Sequence, residues 1–167
     1  MKYIVISDTH GFIENAEAVI ESFKDEIDGI IHLGDVLRDV VSLKYKFPNL
    51  PIEFICGNND INVTVPYEKT ILINGRKILI THGHRQRVHM GLMNICYWAL
   101  EKNADAVLFG HTHSFVCQNI DGIAVFNPGS ISLPRSTSYP TFGIMEITDS
   151  GIMNFSVLKY EDKKIEF

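Results

Sequence analysis

The sequence predicts an α/β fold in which two β-sheets pack face to face and helices flank the resulting β-sandwich. Three observations carry that expectation. Short apolar runs recur along the chain, and most are closed by a polar turn containing glycine, the pattern of buried strands. Between the first of these runs the apolar residues change to a helical period, which gives a βαβαβ start and a parallel sheet. Beyond residue 63 strand patterns dominate, separated by hairpin turns.

The first run, Tyr3-Ile4-Val5-Ile6, ends in Ser7-Asp8-Thr9-His10. Phe12, Ile13, Ala16, Val19, Ile20 and Phe23 then share one helical face, with Glu14, Glu17, Glu21 and Lys24 opposite; that face, aromatics included, is expected in the core. Gly29-Ile30-Ile31-His32-Leu33 ends in Gly34-Asp35, and His32 inside it reads as a hydrogen-bonded core histidine. A shorter helix is expected from Val36 to about Tyr45, stopped by Pro48; Arg38 and Asp39 on it could touch the site, with solvated helix charge as the default reading. Ile52-Glu53-Phe54-Ile55-Cys56 leads to Gly57-Asn58-Asn59-Asp60.

Strands at about 65–73 and 76–81 flank the two-residue turn Asn74-Gly75, and the second ends in Thr81-His82-Gly83-His84. Val88, Leu92, Met93, Cys96, Tyr97 and Leu100 make a third amphipathic stripe, on which His89 is a surface or capping residue. Ala106-Val107-Leu108-Phe109 runs into Gly110-His111-Thr112-His113. Strands at about 115–120 and 122–126 flank Asp121-Gly122, and the second meets Asn127-Pro128-Gly129-Ser130, a tight turn that could also touch a ligand through Asn127 or Ser130. Strands at 141–147 and 152–159 follow, with Ser150-Gly151 between them.

Composition is that of a soluble globular protein of 167 residues, 46% hydrophobic and 21% charged. A net charge of −5 without a basic run argues against a nucleic-acid surface. Cys56, Cys96 and Cys117 lack CxxC spacing and lie in or beside apolar patterns, so all three read as buried, reduced thiols of a cytoplasmic protein. No run approaches a membrane span.

The polar motifs carry the chemistry. In open α/β sheets ligands bind outside the carboxyl ends of the strands, so Asp8, His10, Asp35, Asn58, His82, His111 and His113 are expected to converge on one rim, with Asn59 and His84 close by. Carboxylate, imidazole and amide oxygen together, without cysteine, suit Mn²⁺, Fe²⁺, Ni²⁺ or Zn²⁺ better than Ca²⁺. Seven ligands exceed one tetrahedral ion and suit two ions sharing a carboxylate, about 3.5–4 Å apart, as in phosphoryl transfer. Gly34, Gly57 and Gly110 fit places where backbone comes close to the site or bends sharply.

In order, Asp8-x-His10, Gly34-Asp35, Gly57-Asn58-x-Asp60, His82-Gly83-His84 and Gly110-His111-x-His113 resemble the signatures of the calcineurin-like metallophosphoesterases, above all the small bacterial and archaeal phosphodiesterase branch. Asn127-Pro128-Gly129-Ser130 and Pro134-Arg135 match that branch as well. The resemblance implies one αββα domain over residues 1–167 and a metal-dependent phosphodiesterase whose nucleophile is a hydroxide between two ions. It implies that Asp8, His10, Asp35 and His113 hold the first ion and Asp35, Asn58, His82 and His111 the second, with manganese first in line and nickel, iron or zinc as alternatives. One departure stands out. Many members carry histidine where this chain has Asn59, and that imidazole protonates the leaving group; an amide cannot. The catalytic set is therefore Asn58, Asn59, Asp60 and His84, with Asp60 orienting its neighbours and His84 the nearest substitute acid. The implied partner is a small phosphate ester, with nucleic acid only as a phosphodiester substrate, no membrane, and a homo-oligomer left open. The competing expectations are a binding scaffold on the same fold, as in the retromer's small subunit, and a phosphomonoesterase or nucleotide pyrophosphatase. The complete ligand set argues against the scaffold.

Overall fold

The computed structural model describes residues 1–161, so the last residues of the expected 1–167 domain, 162–167, lie outside the described ones. The elements run β1 (Lys2–Ile6), α1 (Glu14–Phe23), β2 (Gly29–His32), α2 (Leu37–Lys46), β3 (Ile52–Phe54), β4 (Glu68–Ile73), β5 (Arg76–Thr81), a 3₁₀ turn (Val88–Met90), α3 (Met93–Glu101), β6 (Ala106–Leu108), β7 (Val116–Ile120), β8 (Ile123–Asn127), β9 (Thr141–Ile147) and β10 (Met153–Lys159). They form two five-stranded sheets, ordered β10-β9-β1-β2-β3 and β4-β5-β6-β8-β7. Strands β1, β2 and β3 are parallel in the first sheet, and β5, β6 and β8 in the second. The remaining strands pair antiparallel, at or toward the edges.

Alternation along each parallel strand assigns its side chains to two layers. Val5 and Ile31 face the second sheet, where they meet Ile78, Ile80, Leu108 and Phe126 in the inter-sheet core. Ile4, Ile6 and Ile30 point outward onto Ala16, Val19 and Ile20 of α1 and Val40 and Leu43 of α2. Leu79, Val107 and Val125 do the same for the second sheet, beneath Ile95, Cys96 and Ala99 of α3. The layers are therefore αββα. Each fully buried isoleucine contributes roughly 1.5–3 kcal/mol. The turns Asn74-Gly75 and Asp121-Gly122 carry positive φ at both residues, the geometry of a tight two-residue hairpin.

Several expectations need correction. Phe12 is exposed, because α1 begins only at Glu14 and Phe12 belongs to the turn before it. Strand β4 begins at Glu68 rather than 65, since Pro66 has no N–H for a ladder and its carbonyl instead accepts from the Cys56 amide. The third stripe is broken at Gly91, which separates Val88 in the 3₁₀ turn from α3. The helix is thereby rephased: Ile95, Cys96 and Ala99 are buried, while Met93, Tyr97 and Leu100 face outward. Cys56 and Cys96 are buried free thiols, but Cys117 is exposed on the edge strand β7. Among the described residues no helix is long and apolar enough to cross a membrane.

Candidate metal centre

The carboxyl ends of the parallel strands from both sheets open onto one rim. The loops after β1, β2 and β3 bring Asp8, His10, Asp35 and Asn58; those after β5 and β6 bring His82, His111 and His113. Every carboxylate of the cluster thus comes from the first sheet, and most imidazoles from the second. Asp8, His10, Asp35, His111 and His113 all have φ between 46° and 70°, a left-handed conformation that L-residues other than glycine seldom adopt. Each such residue costs on the order of 1 kcal/mol or more, so their concentration here marks a functional site.

Buried hydrogen bonds hold this backbone in place. Asp8 N donates to Gly34 O at 3.1 Å and His10 N to Asp35 O at 3.2 Å, lacing the first two loops together. Ser130 Oγ and Ser132 Oγ donate to Asp8 O at 2.9 and 2.8 Å. Asp39, expected in solvent, is buried instead and accepts from Thr9 Oγ1 and Gly11 N, both at 2.7 Å. Its helix packs the carboxylate beneath the Asp8–Gly11 loop, whereas Arg38 beside it stays exposed.

Two compact groups result, Asp8 with His10 and His113, and Asp8 with Asp35 and His82. At their junction is Asp8 Oδ1, buried and without a hydrogen-bond donor among the described residues. It is ringed by the Nε2 atoms of His113 at 3.3 Å, His10 at 3.9 Å and His82 at 3.9 Å. Asp35 Oδ2 lies 3.4 Å from His82 Nε2 and 4.0 Å from His10 Nε2, so it too reaches both groups. Backbone carbonyls fix the imidazoles: His82 Nδ1 faces Leu33 O at 2.8 Å and His113 Nδ1 faces Leu133 O at 2.6 Å. Those carbonyls take the Nδ1 protons and leave the Nε2 atoms turned inward, the arrangement that orients metal-binding histidines. An unpartnered buried carboxylate oxygen is costly, and a divalent cation among these nitrogens would satisfy it.

The electrostatics follow from the same contacts. Burial works to raise the Asp35 pKa, but the facing His82 ring and the Asn59 bonds outweigh it and hold the carboxyl well below its usual range. Burial works to lower His82 and His113, yet the carboxylates of Asp35 and Asp8 prevail and both pKa values are raised. His111, desolvated and close to His82, is pushed down to about 4.

The other expected site residues take distinct places. Asn58 Oδ1 lies 3.1 Å from His82 Nε2. The His111 ring stands 5.1 Å from that of His82, outside both compact groups, and its backbone N–H donates to Asp8 Oδ2. Asn59 donates to both oxygens of Asp35, from its backbone at 3.1 Å and its amide at 2.7 Å. Asp60 is buried and accepts from Gly57 N and Leu37 N, a positioning role. His84 is half-buried among His82, His111 and Tyr67, its Nδ1 has no partner among the described residues, and burial lowers its pKa. His32 is fully buried and hydrogen-bonded, as expected of a core histidine. His89 is on the surface, but its ring stands 6.2 Å from that of His111. Asn127 bonds to Gly110, Thr112 and Gly129, so it shapes the turns.

Sequence reasoning passed over Ser7, Thr9 and Ser132, and it weighed Asp39 but set it down as a solvated charge. Ser7 Oγ donates to Asp8 Oδ2 at 2.6 Å. Its position directly before Asp8 was a usable signal; Ser132 offered none without the packing. The spaces beside Gly57 and Gly110 are filled by side chains of the site. A Cβ on Gly57 would lie 1.8 Å from Asp35 Oδ1, and one on Gly110 would lie 2.0 Å from Ser7 Oγ and 2.9 Å from Asp8 Oδ2.

The chain is similar to known proteins over most of its length. The chain is 33% identical over 157 residues to the probable metallophosphoesterase YsnB of Bacillus subtilis, covering 93% of this chain and 90% of that one. It is 33% identical over 162 residues to the phosphodiesterase MJ0936 of Methanocaldococcus jannaschii, covering 87% and 93%. A crystal structure of a conserved protein from Streptococcus pneumoniae, described as a predicted phosphoesterase, superposes with a TM-score of 0.81 at 29% identity, over 95% of this chain and 89% of that one. The model of the calcineurin-like phosphoesterase superfamily domain matches residues 1–150, and to that superfamily the chain belongs.

Proposed function

We propose that the protein is a metal-dependent phosphodiesterase acting on small phosphate esters in the cytoplasm. The observation that carries this reading is Asp8 Oδ1, an orphaned buried oxygen ringed by three inward-facing Nε2 atoms. In the reaction, a water oxygen bonds to phosphorus and the P–O bond to the departing alcohol breaks with its electron pair. The nucleophile loses a proton and the alcohol gains one. Bound divalent ions would supply the activated water and neutralise the charge that develops on the phosphoryl oxygens.

The residues divide the remaining work. Asp8, His10, Asp35 and His113 would hold one ion and Asp35, Asn58, His82 and His111 the other. Asp35 is the shared ligand in this reading, supported by its reach to both His10 and His82. Manganese heads the metals that suit this donor set, with iron, nickel and zinc behind it. Asn59 steadies Asp35, Asp60 steadies the Gly57 loop, and His84 is the proton donor that Asn59 cannot be. A diester carries a single negative charge and needs no additional cationic clamp; Arg38 is exposed and Arg85 lies over the Tyr67 ring, so neither is arranged as one. Cytoplasmic action is supported by the three free cysteines.

Metal analysis with a chromogenic diester tests the reading. Asp35→Asn should lower the content of both ions and abolish turnover, whereas His113→Ala should chiefly empty one site. Full activity of Asp35→Asn at unchanged metal content would refute the shared-ligand assignment.

A further inference from the structure

A cleft of about 450 Å³ opens beside the metal centre, with His111 as their common wall. Its other walls include His89, Leu92, Ser114, Val116 and Arg135, and among the described residues no carboxylate lines it. The His89 and His111 rings meet edge to face, 69° apart. Arg135 is exposed and makes no ion pair among the described residues. Flat rings, branched apolar side chains and an uncommitted guanidinium suit one kind of guest. Aromatic groups pack edge-to-face on rings, and a guanidinium lies favourably over a ring face. The missing carboxylates matter as well, because an acidic lining would repel the phosphate attached to that guest.

We propose that this cleft is a subsite for an aromatic ester arm of the substrate, specifically the arm that stays on phosphorus. The inference rests on the hydrolytic reading above. In-line displacement places nucleophile and leaving oxygen on opposite sides of phosphorus, with the other three oxygens spread in the plane between them. The leaving group therefore points away from the centre, whereas the retained arm projects sideways. The cleft begins at His111, on the flank of the cluster, where a sideways arm arrives. Its volume is that of a ligand pocket and accommodates a single or fused ring. His89, left as a surface residue by the sequence alone, thereby gains a role as one face of a ring-binding slot.

Two diesters with the same 4-nitrophenyl leaving group, one retaining phenyl and the other methyl, test the proposal. The phenyl ester should be favoured by about tenfold or more in kcat/KM, mainly through KM, as expected for an apolar arm filling a pocket. Val116→Phe, which fills the cleft from edge strand β7, should remove most of that preference while methyl-ester turnover persists. Binding supplies a readout independent of turnover. Phenylphosphonate should bind zinc-loaded protein about tenfold more tightly than methylphosphonate, and only phenylphosphonate should shift the His89 ring resonances in NMR spectra. Equal affinities with an unmoved His89 would overturn the subsite while leaving the diesterase reading intact. Failure of both esters to react, with no phosphonate bound, would remove the diesterase reading and the subsite with it.

Discussion

Gly57→Ala isolates how closely the centre is built against its own backbone. The added Cβ would lie 1.8 Å from Asp35 Oδ1, 2.5 Å from its Cγ and 2.7 Å from its backbone N. Ordinary van der Waals contact begins at 3.4 Å, so the carboxylate must retreat by 3.4 − 1.8 = 1.6 Å. A retreat of that size breaks the Asn59 bonds at 3.1 and 2.7 Å and separates Oδ2 from His82. Because the Asp35 backbone is also in the way, side-chain rotation alone cannot relieve the clash. Overpacking of this kind costs about 1–3 kcal/mol, and displacing the groups that orient a ligand costs roughly 10–100-fold in metal affinity. Calorimetric titration with Mn²⁺ and urea melts of chelator-treated protein measure the two effects. Gly75→Ala is the matched control: its Cβ meets nothing within 4 Å but its φ is +76°, so it should lose about 1 kcal/mol of stability and no metal affinity. Wild-type affinity and stability in Gly57→Ala would refute the packing argument.

Further expectations rest on the buried polar groups around the centre. Burial lowers the His32 pKa to about 4, below the roughly 6.5 of an unfolded chain. The unfolded state therefore binds a proton that the native state refuses, and stability falls as pH drops through that window, by about 3 kcal/mol in all. Urea melts of metal-free protein between pH 7.5 and 4.5 should show this slope flattened in His32→Gln; parallel profiles would contradict it. Asp39→Ala strands the Gly11 amide and leaves the Thr9 hydroxyl only its longer contacts to His32 Nε2 and Asp35 O, and should cost about 1–3 kcal/mol, with Asp39→Asn intermediate; a loss below about 0.5 kcal/mol would show the network to be dispensable. His84→Ala should slow diesters with alkyl leaving groups by about 10²-fold or more and spare 4-nitrophenyl esters, as a steady-state comparison across leaving-group pKa will show. Uniform slowing would exclude it as the proton donor.

Much of the fold and rim was legible because most parallel strands are buried on both faces and all end abruptly in polar residues. Tyr3 to Ile6 can be nothing but interior, and the polar residues that follow must lie where the interior stops. What sequence could not show was how long-range pairing distributes the strands. β9 returns from the far end of the chain to pair with β1, so one sheet joins residues 2–6 to residues 141–147. Local periodicity also misjudged residues whose burial depends on a distant segment. Asp39 occupies an ordinary exposed-looking helix position until the Asp8–Gly11 loop is laid over it, and Phe12 looks like the first residue of an apolar face until the helix begins after it. The bonds from Asn59 to Asp35 belong to the same class: the amide was legible as a departure from histidine, but its use as a support was not.

The division of donors between the two sheets has a consequence for how the protein comes to exist. Neither sheet alone carries a complete set, since the acidic residues hang from one and His82, His111 and His113 from the other. A chain whose two sheets are not docked is therefore an incomplete chelator, and the full donor set exists only once they pack together. Almost all the affinity then appears as resistance to unfolding: free ion at 100 times its dissociation constant adds about 2.7 kcal/mol. The ion is a clasp as much as a reagent. Metal scarcity would loosen the two halves from each other, and the survival of the protein would follow the metal supply along with its turnover.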